Sequence, residues 1–238
     1  MGREKKKTTG GKQVLEALTR ISEAITSDLY LEDILKLIVT VTAEVMGSKI
    51  CSLMLLNKSG QELEIKATQS VSEAYNKKPN IRIGEGIAGI VVKEGKLITV
   101  ADVRQDARYM NRDIAEKERL CSLLSVPLIC KGKVTGALNS YTSQPHKFSK
   151  NEVNVLRSIA NQAAIVIENF RLVVETRVIR EELESRKAVE RAKGLLMKQE
   201  GLGEQVAYER IRKYSMDNRK SMREVAEAII VSAEMKKT

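Results

Sequence analysis

Lys187, Arg191, Gly194 and Lys198 recur at intervals of four, three and four residues. A helix over this stretch carries all of them on one face. Three cations around a position without a side chain suit close approach by a polyanion or by another backbone. The glycine needs an explanation, because inside a helix it costs about 1 kcal/mol relative to alanine. The positive charge extends well beyond this face: Arg186 to Arg223 hold eleven basic residues against five acidic ones. Such a stretch reads either as solubilising surface or as a phosphate-tracking patch whose affinity falls as salt rises.

The remaining candidates for chemistry are sparse. Gly84-Glu85-Gly86-Ile87-Ala88-Gly89 has a spacing that can cradle phosphate. A dinucleotide fingerprint needs a preceding strand in a βαβ unit, and a P-loop needs Gly-Lys-Ser or Gly-Lys-Thr at its end. Neither accompanies this segment, so it is expected to form a tight turn that begins a small helix beneath a ligand-sized cavity. Cys51, Cys121 and Cys130 form no Cys-x-x-Cys pair, which predicts free thiols in a reducing cytosol. Cys121 and Cys130 flank a strand, either as small buried side chains or as a thiol switch. His146, the single histidine, follows Pro145. It cannot assemble a zinc site or a Ser-His-carboxylate triad from what surrounds it. The chain is therefore expected not to be an enzyme, and to hold no metal and no cofactor.

The chain has 238 residues, enough for one ordinary domain plus a smaller one. A net charge of +10, from 41 basic and 31 acidic residues, favours an anionic partner without naming it. Apolar residues make up 42% of the chain and no apolar run approaches eighteen residues, so no membrane span is expected. Residues 1–12 are basic, with no apolar run after them, and are expected to be a disordered start rather than a secretory signal. The protein is accordingly expected in the cytoplasm. Aromatics are only 3%, with no tryptophan, which weighs against a base-stacking sheet of the RRM or OB type.

Apolar periodicity predicts two helices between Gln13 and Met46, with a cap signal at Ser27-Asp28 and an end at Gly47. Strands are expected at Ile50–Leu56, Leu63–Ala67, Leu97–Val100, Leu123–Cys130 and Lys133–Tyr141, with turns at Asn57–Gly60 and Lys131-Gly132. A small helix is expected over Ala88–Lys93. This order indicates an α+β domain with an antiparallel sheet and helices gathered on one face. Ser149 and Glu152 form a capping box that opens a long helix. Its row Leu156, Ile159, Ala163, Val166, Phe170 and Val173 suggests a coiled coil with a second copy, or packing of the first half on the sheet. Gly201-Leu-Gly203 breaks the helix. A second helix, Glu204–Asp217, is expected to turn Val206, Ala207, Ile211 and Tyr214 inward. A third opens on the Ser221–Glu224 capping box and aligns Met222, Val225, Ala226, Ile229, Ile230 and Ala233. Three such stripes bury one another in a helical bundle.

Glu190-Arg191-Ala192-Lys193-Gly194-Leu-Leu-Met197, Ala207-Tyr208, Ile211-Arg212-Lys213, Ser215-Met216 and Val225-Ala226 together resemble the ANTAR domain, a three-helix module of bacterial antiterminators. The resemblance covers about residues 178–235. It implies binding to RNA, usually paired stem-loops in a nascent leader transcript. It also implies that Ala192, Ala207 and Met216 belong to the packed frame, with Arg191, Lys193, Gly194, Tyr208, Arg212, Lys213, Arg219 and Lys220 at the RNA. Leu31–Leu35, Gly84–Gly89, Leu124–Leu128 and Gly132–Gly136 resemble a GAF domain over residues 13–172, followed by a helical linker at 173–185. That resemblance implies a sensory module, with Gly84, Gly86, Gly89 and Cys121 near a pocket for an unidentified small molecule. The combined expectation is a homodimeric antitermination regulator, joined through the long helix and controlled by a small-molecule effector. Two other readings stay open: a protein–protein adaptor that does not bind RNA, and a thiol-based GAF-class reductase.

Overall fold

A computed structural model describes residues 15–16, 19–24 and 30–235. The basic start and the Ser27-Asp28 signal lie outside the described residues. The chain divides into two units, residues 1–170 and 171–238.

In the first unit, helix α1 (Leu31–Met46) starts after Tyr30 and ends at Gly47, whose φ of 60° provides the left-handed C-cap. Strands β1 (Ile50–Leu56) and β2 (Glu62–Thr68) follow, then the short α2 (Glu73–Asn76) and β3 (Ile81–Arg82). Next come α3 (Gly86–Glu94), β4 (Ile98–Val100), α4 (Arg112–Lys117), β5 (Leu123–Cys130) and β6 (Lys133–Tyr141). The six strands form one sheet in the order β3-β2-β1-β6-β5-β4, with every pairing antiparallel. Lys131 and Gly132, at φ 50° and 76°, make the two-residue turn between β5 and β6. The β1–β2 turn is held by the Asn57 side-chain oxygen, which accepts from Ser59 Oγ at 2.8 Å and the Gln61 amide at 3.2 Å.

Helices cover both faces of the sheet, not one. Cys51 and Leu53 of β1 pack with Ile34, Ile38, Leu156 and Ile159 on one face. Ile50 and Met54 pack with Ile87, Val91, Tyr75 and Leu120 on the other. Alternate residues of one strand thus enter two separate cores. The reason is visible in Ile50–Leu56, which is apolar at both parities apart from Ser52.

Helix α5 runs without interruption over Lys150–Glu200. Its capping box forms: the Ser149 amide and hydroxyl each donate to Glu152 at 2.7 Å, and the Glu152 amide donates back to Ser149 Oγ at 3.3 Å. Leu156, Ile159, Ala163 and Val166 are buried against the sheet, so this half of the predicted seam is domain core. Beyond it, Leu172, Ile179 and Leu183 are exposed at spacings of seven and four.

In the second unit, distal α5 packs with α6 (Glu204–Asp217) and α7 (Met222–Met235) through Val189, Ala192, Leu196, Ala207, Ile211 and Val225. Gly201, at φ 68°, ends α5. The inward row of α6 is Ala207, Ile211 and Ser215, an i, i+4, i+8 set of mostly small side chains. Val206, Tyr214 (55% exposed) and Met216 (65% exposed), expected inward, face solvent. The α7 stripe takes its expected orientation, and its capping box forms with the Ser221 amide and hydroxyl on Glu224 at 2.7 and 2.8 Å.

Candidate nucleic-acid interface and sensory cavity

The bundle separates its cations by what holds them. Lys193 is only 8% exposed. Its ammonium donates to Glu204 at 2.7 Å and Glu190 at 3.0 Å. The hydrogen bonds to Glu204 and Glu190 raise it above the ordinary lysine range, so it ties α5 to the first turn of α6 and is not presented to solvent. Arg191 donates to Glu234 at 2.7 Å, which ties α5 to α7. Arg210 pairs with Glu200, and Arg223 with Glu227. Among the described residues, Arg212, Lys213, Arg219 and Lys220 make no ion pair, although Lys220 favours the ionised form of Glu224 through space, and all four are exposed. They fall within the end of α6 and the turn to α7.

That turn is built tightly. Ser215 is buried, and its hydroxyl donates to the Lys220 carbonyl at 2.6 Å while the Lys220 amide donates to the Ser215 carbonyl at 3.0 Å. Arg219 takes a left-handed φ of 53° there, a conformation that a non-glycine residue adopts only when its surroundings impose it. Tyr208 lies one turn before Arg212 on α6 and is 39% exposed. Gly194 is exposed, and a Cβ built on it meets nothing within 4 Å. Its missing side chain therefore leaves room for nothing within this chain.

The first unit places the four predicted pocket residues in different roles. Gly86, at φ 58°, opens α3 and lines a small cavity. Gly89 is required for packing, since a Cβ there would lie 2.3 Å from the Arg82 carbonyl oxygen. Gly84, at φ 86°, turns the chain beside Lys93. Cys121 is buried away from the cavity, with Arg104 3.6 Å from its sulfur.

Residues the sequence did not single out make the cavity chemically unusual. Lys78 is 9% exposed. Its Nζ lies 4.0 Å from the Tyr75 ring centre and 5.9 Å from that of Tyr141. Burial lowers its pKa to about 7. The rings of Tyr75 and Tyr109 both meet Tyr141 edge-on, at 6.1 and 6.3 Å. A buried polar row crosses the sheet toward them: Ser125 Oγ donates to Asn139 Oδ1 at 2.7 Å, and Ser52 Oγ lies 2.9 Å from the Tyr75 hydroxyl. The Asn139 amide bridges to Ser52 at 3.4 Å. Asn139→Ala should cost about 1–2 kcal/mol in a denaturant titration, because it strips buried hydroxyls of partners. An unchanged midpoint would remove the row from the account of stability.

The described residues contain no cluster of His, Cys, Asp and Glu able to hold a metal, and no helix long and apolar enough to cross a membrane. Cys130 ends β5 and Cys121 lies two residues before its start, which puts them roughly 25–30 Å apart at strand rise. They are too far apart to bridge within one chain. Cys51 is buried in the core, where desolvation pushes its thiol up.

Comparison with known proteins agrees with both halves. The family model for the GAF domain matches residues 29–168, more than half of the chain, and that for the ANTAR domain matches residues 177–230. The GAF domain of a phosphoenolpyruvate-protein phosphotransferase from Coxiella burnetii superposes with a TM-score of 0.62. It is 26% identical and covers 69% of this chain and 98% of its own. Among curated relatives, a methyl sulfide methyltransferase-associated sensor of Methanosarcina acetivorans is 26% identical over 162 residues, 66% of this chain and 16% of the relative. The transcriptional regulatory protein PdtaR of Mycobacterium tuberculosis is 39% identical over 70 residues, 28% of this chain and 34% of the relative. The chain thus spans about a third or less of the length of these two relatives. The chain belongs to the GAF-domain family and carries an ANTAR domain after it.

Proposed function

We propose that this protein is a signal-responsive antitermination regulator that binds tandem stem-loops in nascent leader RNA as a homodimer. Residues 13–172 form its sensory part and residues 178–235 its RNA-binding part, with residues 173–185 as the helical link. The observation that carries the reading is the concentration of exposed cations without an ion pair, Arg212 and Lys213 on α6 and Arg219 and Lys220 in the turn after it. Arginine can stack on bases or fork onto phosphate, and lysine supplies point charge. Homodimerisation is supported by Leu172, Ile179 and Leu183, which leave an apolar edge on α5 at heptad spacing. Two RNA-binding bundles in one dimer would engage two linked hairpins, and avidity would raise affinity by about a hundredfold or more over a single hairpin.

The test compares one stem-loop with a linked pair in a filter-binding assay on the full chain. The expected result is salt-dependent binding with a strong preference for the pair. Equal affinity for both RNAs would overturn the bivalent mechanism, and absence of salt-dependent binding to either would favour the adaptor reading.

Gly194 enters the same assay. Gly194→Leu should lower RNA affinity by about tenfold while helix content stays the same or rises, because glycine is the poorer helix former by about 1 kcal/mol. A Cβ at this position meets no other atom of the chain within 4 Å. Unchanged binding would assign the glycine to something other than RNA approach.

A further inference from the structure

The cavity beside α3 brings together three features that a purely structural interior avoids. Lys78 is buried and lines the cavity, yet its amine has neither an ion pair nor a hydrogen bond among the described residues. Tyr109 lines it as well, and its hydroxyl is the one buried side-chain polar atom of the described residues without a partner. Buried polar groups in native proteins are nearly always satisfied, so the orphaned Tyr109 hydroxyl beside the unpaired Lys78 amine points to a missing partner. The third feature is the start of α3: Gly86, Ile87 and Ala88 line the same cavity. Glu85, at its N-cap, supplies no side-chain hydrogen bond. The first amides of a helix are intrinsic anion donors.

No carboxylate lines this cavity. Its donors are an amine, a phenol and backbone amides, and Asn111 adds a side-chain amide at its edge. A cation would find no counter-charge, and a neutral apolar ligand would leave these donors unmatched. Size narrows the choice further. The room for a guest is small, about 10 Å³ or the scale of one water-sized sphere, and Met54, Met110 and Tyr141 line it.

We propose that this cavity is a binding site for a small monovalent anion of halide or formate size, held by Lys78, Tyr109 and the first amides of α3. The proposal rests on the sensory role given above to the GAF domain, and it specifies the ligand class. Met110, whose sulfur lies 3.3 Å from a Cβ built on Gly86, would register occupancy, because it belongs to the segment that closes the cavity ahead of α4.

The probes are sodium chloride, bromide and formate, exchanged against gluconate at constant ionic strength and pH 7 on the full chain. Gluconate is too large for the cavity. Thermal unfolding of the wild type is expected to shift upward with a saturable dependence on each small anion. Lys78→Met is expected to weaken that dependence by about tenfold or more, because the charge-assisted hydrogen bond is gone. Lys78→Arg, which keeps the charge, should retain part of it, and Tyr109→Phe should weaken it less than Lys78→Met. Should Lys78→Met fail to fold, bromide anomalous scattering from crystals of the wild type reads the site directly, with a peak expected between Lys78 and α3. A linear, non-saturating response shared by wild type and Lys78→Met, or an empty site at high bromide, would overturn the proposal. Stem-loop binding measured on the same samples keeps the two readings apart. An anion response without RNA binding sinks only the antitermination reading, and RNA binding without an anion response sinks only this one.

Discussion

Simultaneous replacement of Arg212, Lys213, Arg219 and Lys220 by alanine is expected to weaken binding to a paired stem-loop RNA by about a hundredfold or more at ~0.15 M salt. None of the four makes an ion pair within this chain, and Glu224, which Lys220 favours through space, keeps its capping hydrogen bonds from Ser221, so the bundle should keep its helix content and unfolding midpoint. Each phosphate that a cation no longer neutralises makes the slope of log affinity against log salt shallower by about 0.7–0.9. The quadruple variant should therefore show a slope shallower by about three units if all four cations meet phosphate. That slope is the decisive readout, because a merely structural role would change affinity without changing its salt dependence. Lys193→Ala is the contrast. It removes the ammonium that bridges Glu190 and Glu204, so its first effect should be a lower unfolding temperature. A quadruple variant with the wild-type slope would move the interface elsewhere on the ANTAR domain.

That contrast also marks how far residue type alone could lead. Arg191, Lys193, Arg212 and Lys213 look equivalent in the chain, and each belongs to the same basic run. Only the fold separates them, because the carboxylates that engage Arg191 and Lys193 arrive from α7 and α6. The strands Ile50–Leu56, Leu123–Cys130 and Lys133–Tyr141 were legible to the residue, since turn chemistry bounds them and their burial follows their patterning. β3 was not, because two residues carry no period. Helix α6 misled in the opposite way. Its largest apolar side chains, Val206, Tyr214 and Met216, point outward, while the close packing is made by Ala207, Ile211 and Ser215. Close helix packing selects small residues, and a hydrophobicity count gives those too little weight. Lys78 was invisible for the simplest reason. In Lys77-Lys78-Pro79 it reads as half of a solvated pair, and the tyrosines that enclose it come from positions 75, 109 and 141.

Lys78→Met is expected to stabilise the folded protein at pH 7 in the absence of small anions. Burial among Tyr75 of α2, Tyr109 of the segment before α4 and Tyr141 of β6 lowers the Lys78 pKa from 10.5 to about 7. The facing phenols are themselves pushed above the ordinary tyrosine range by burial, so none supplies a compensating negative charge. Because the folded pKa is the lower one, the penalty is complete below pH 7, where the folded state must hold a buried ammonium. Between pH 7 and 10.5 the unfolded chain still binds a proton that the folded chain has released, and stability rises with pH across that window. The full difference corresponds to at most about 5 kcal/mol. The contact of the ammonium with the Tyr75 ring returns about 1–2 kcal/mol of it, which leaves a net gain of at most about 3–4 kcal/mol for the methionine variant at pH 6–7. Denaturant titrations in gluconate buffer at pH 6.5, 8 and 9.5 should show the advantage of Lys78→Met shrinking as pH rises. A variant less stable than wild type at pH 6.5 would mean that the lysine is satisfied in the folded state. A group that destabilises its own fold at working pH is retained where function requires it. Adding formate should then narrow the gap at pH 6.5 from the wild-type side alone, because the anion supplies the counter-charge that the cavity lacks.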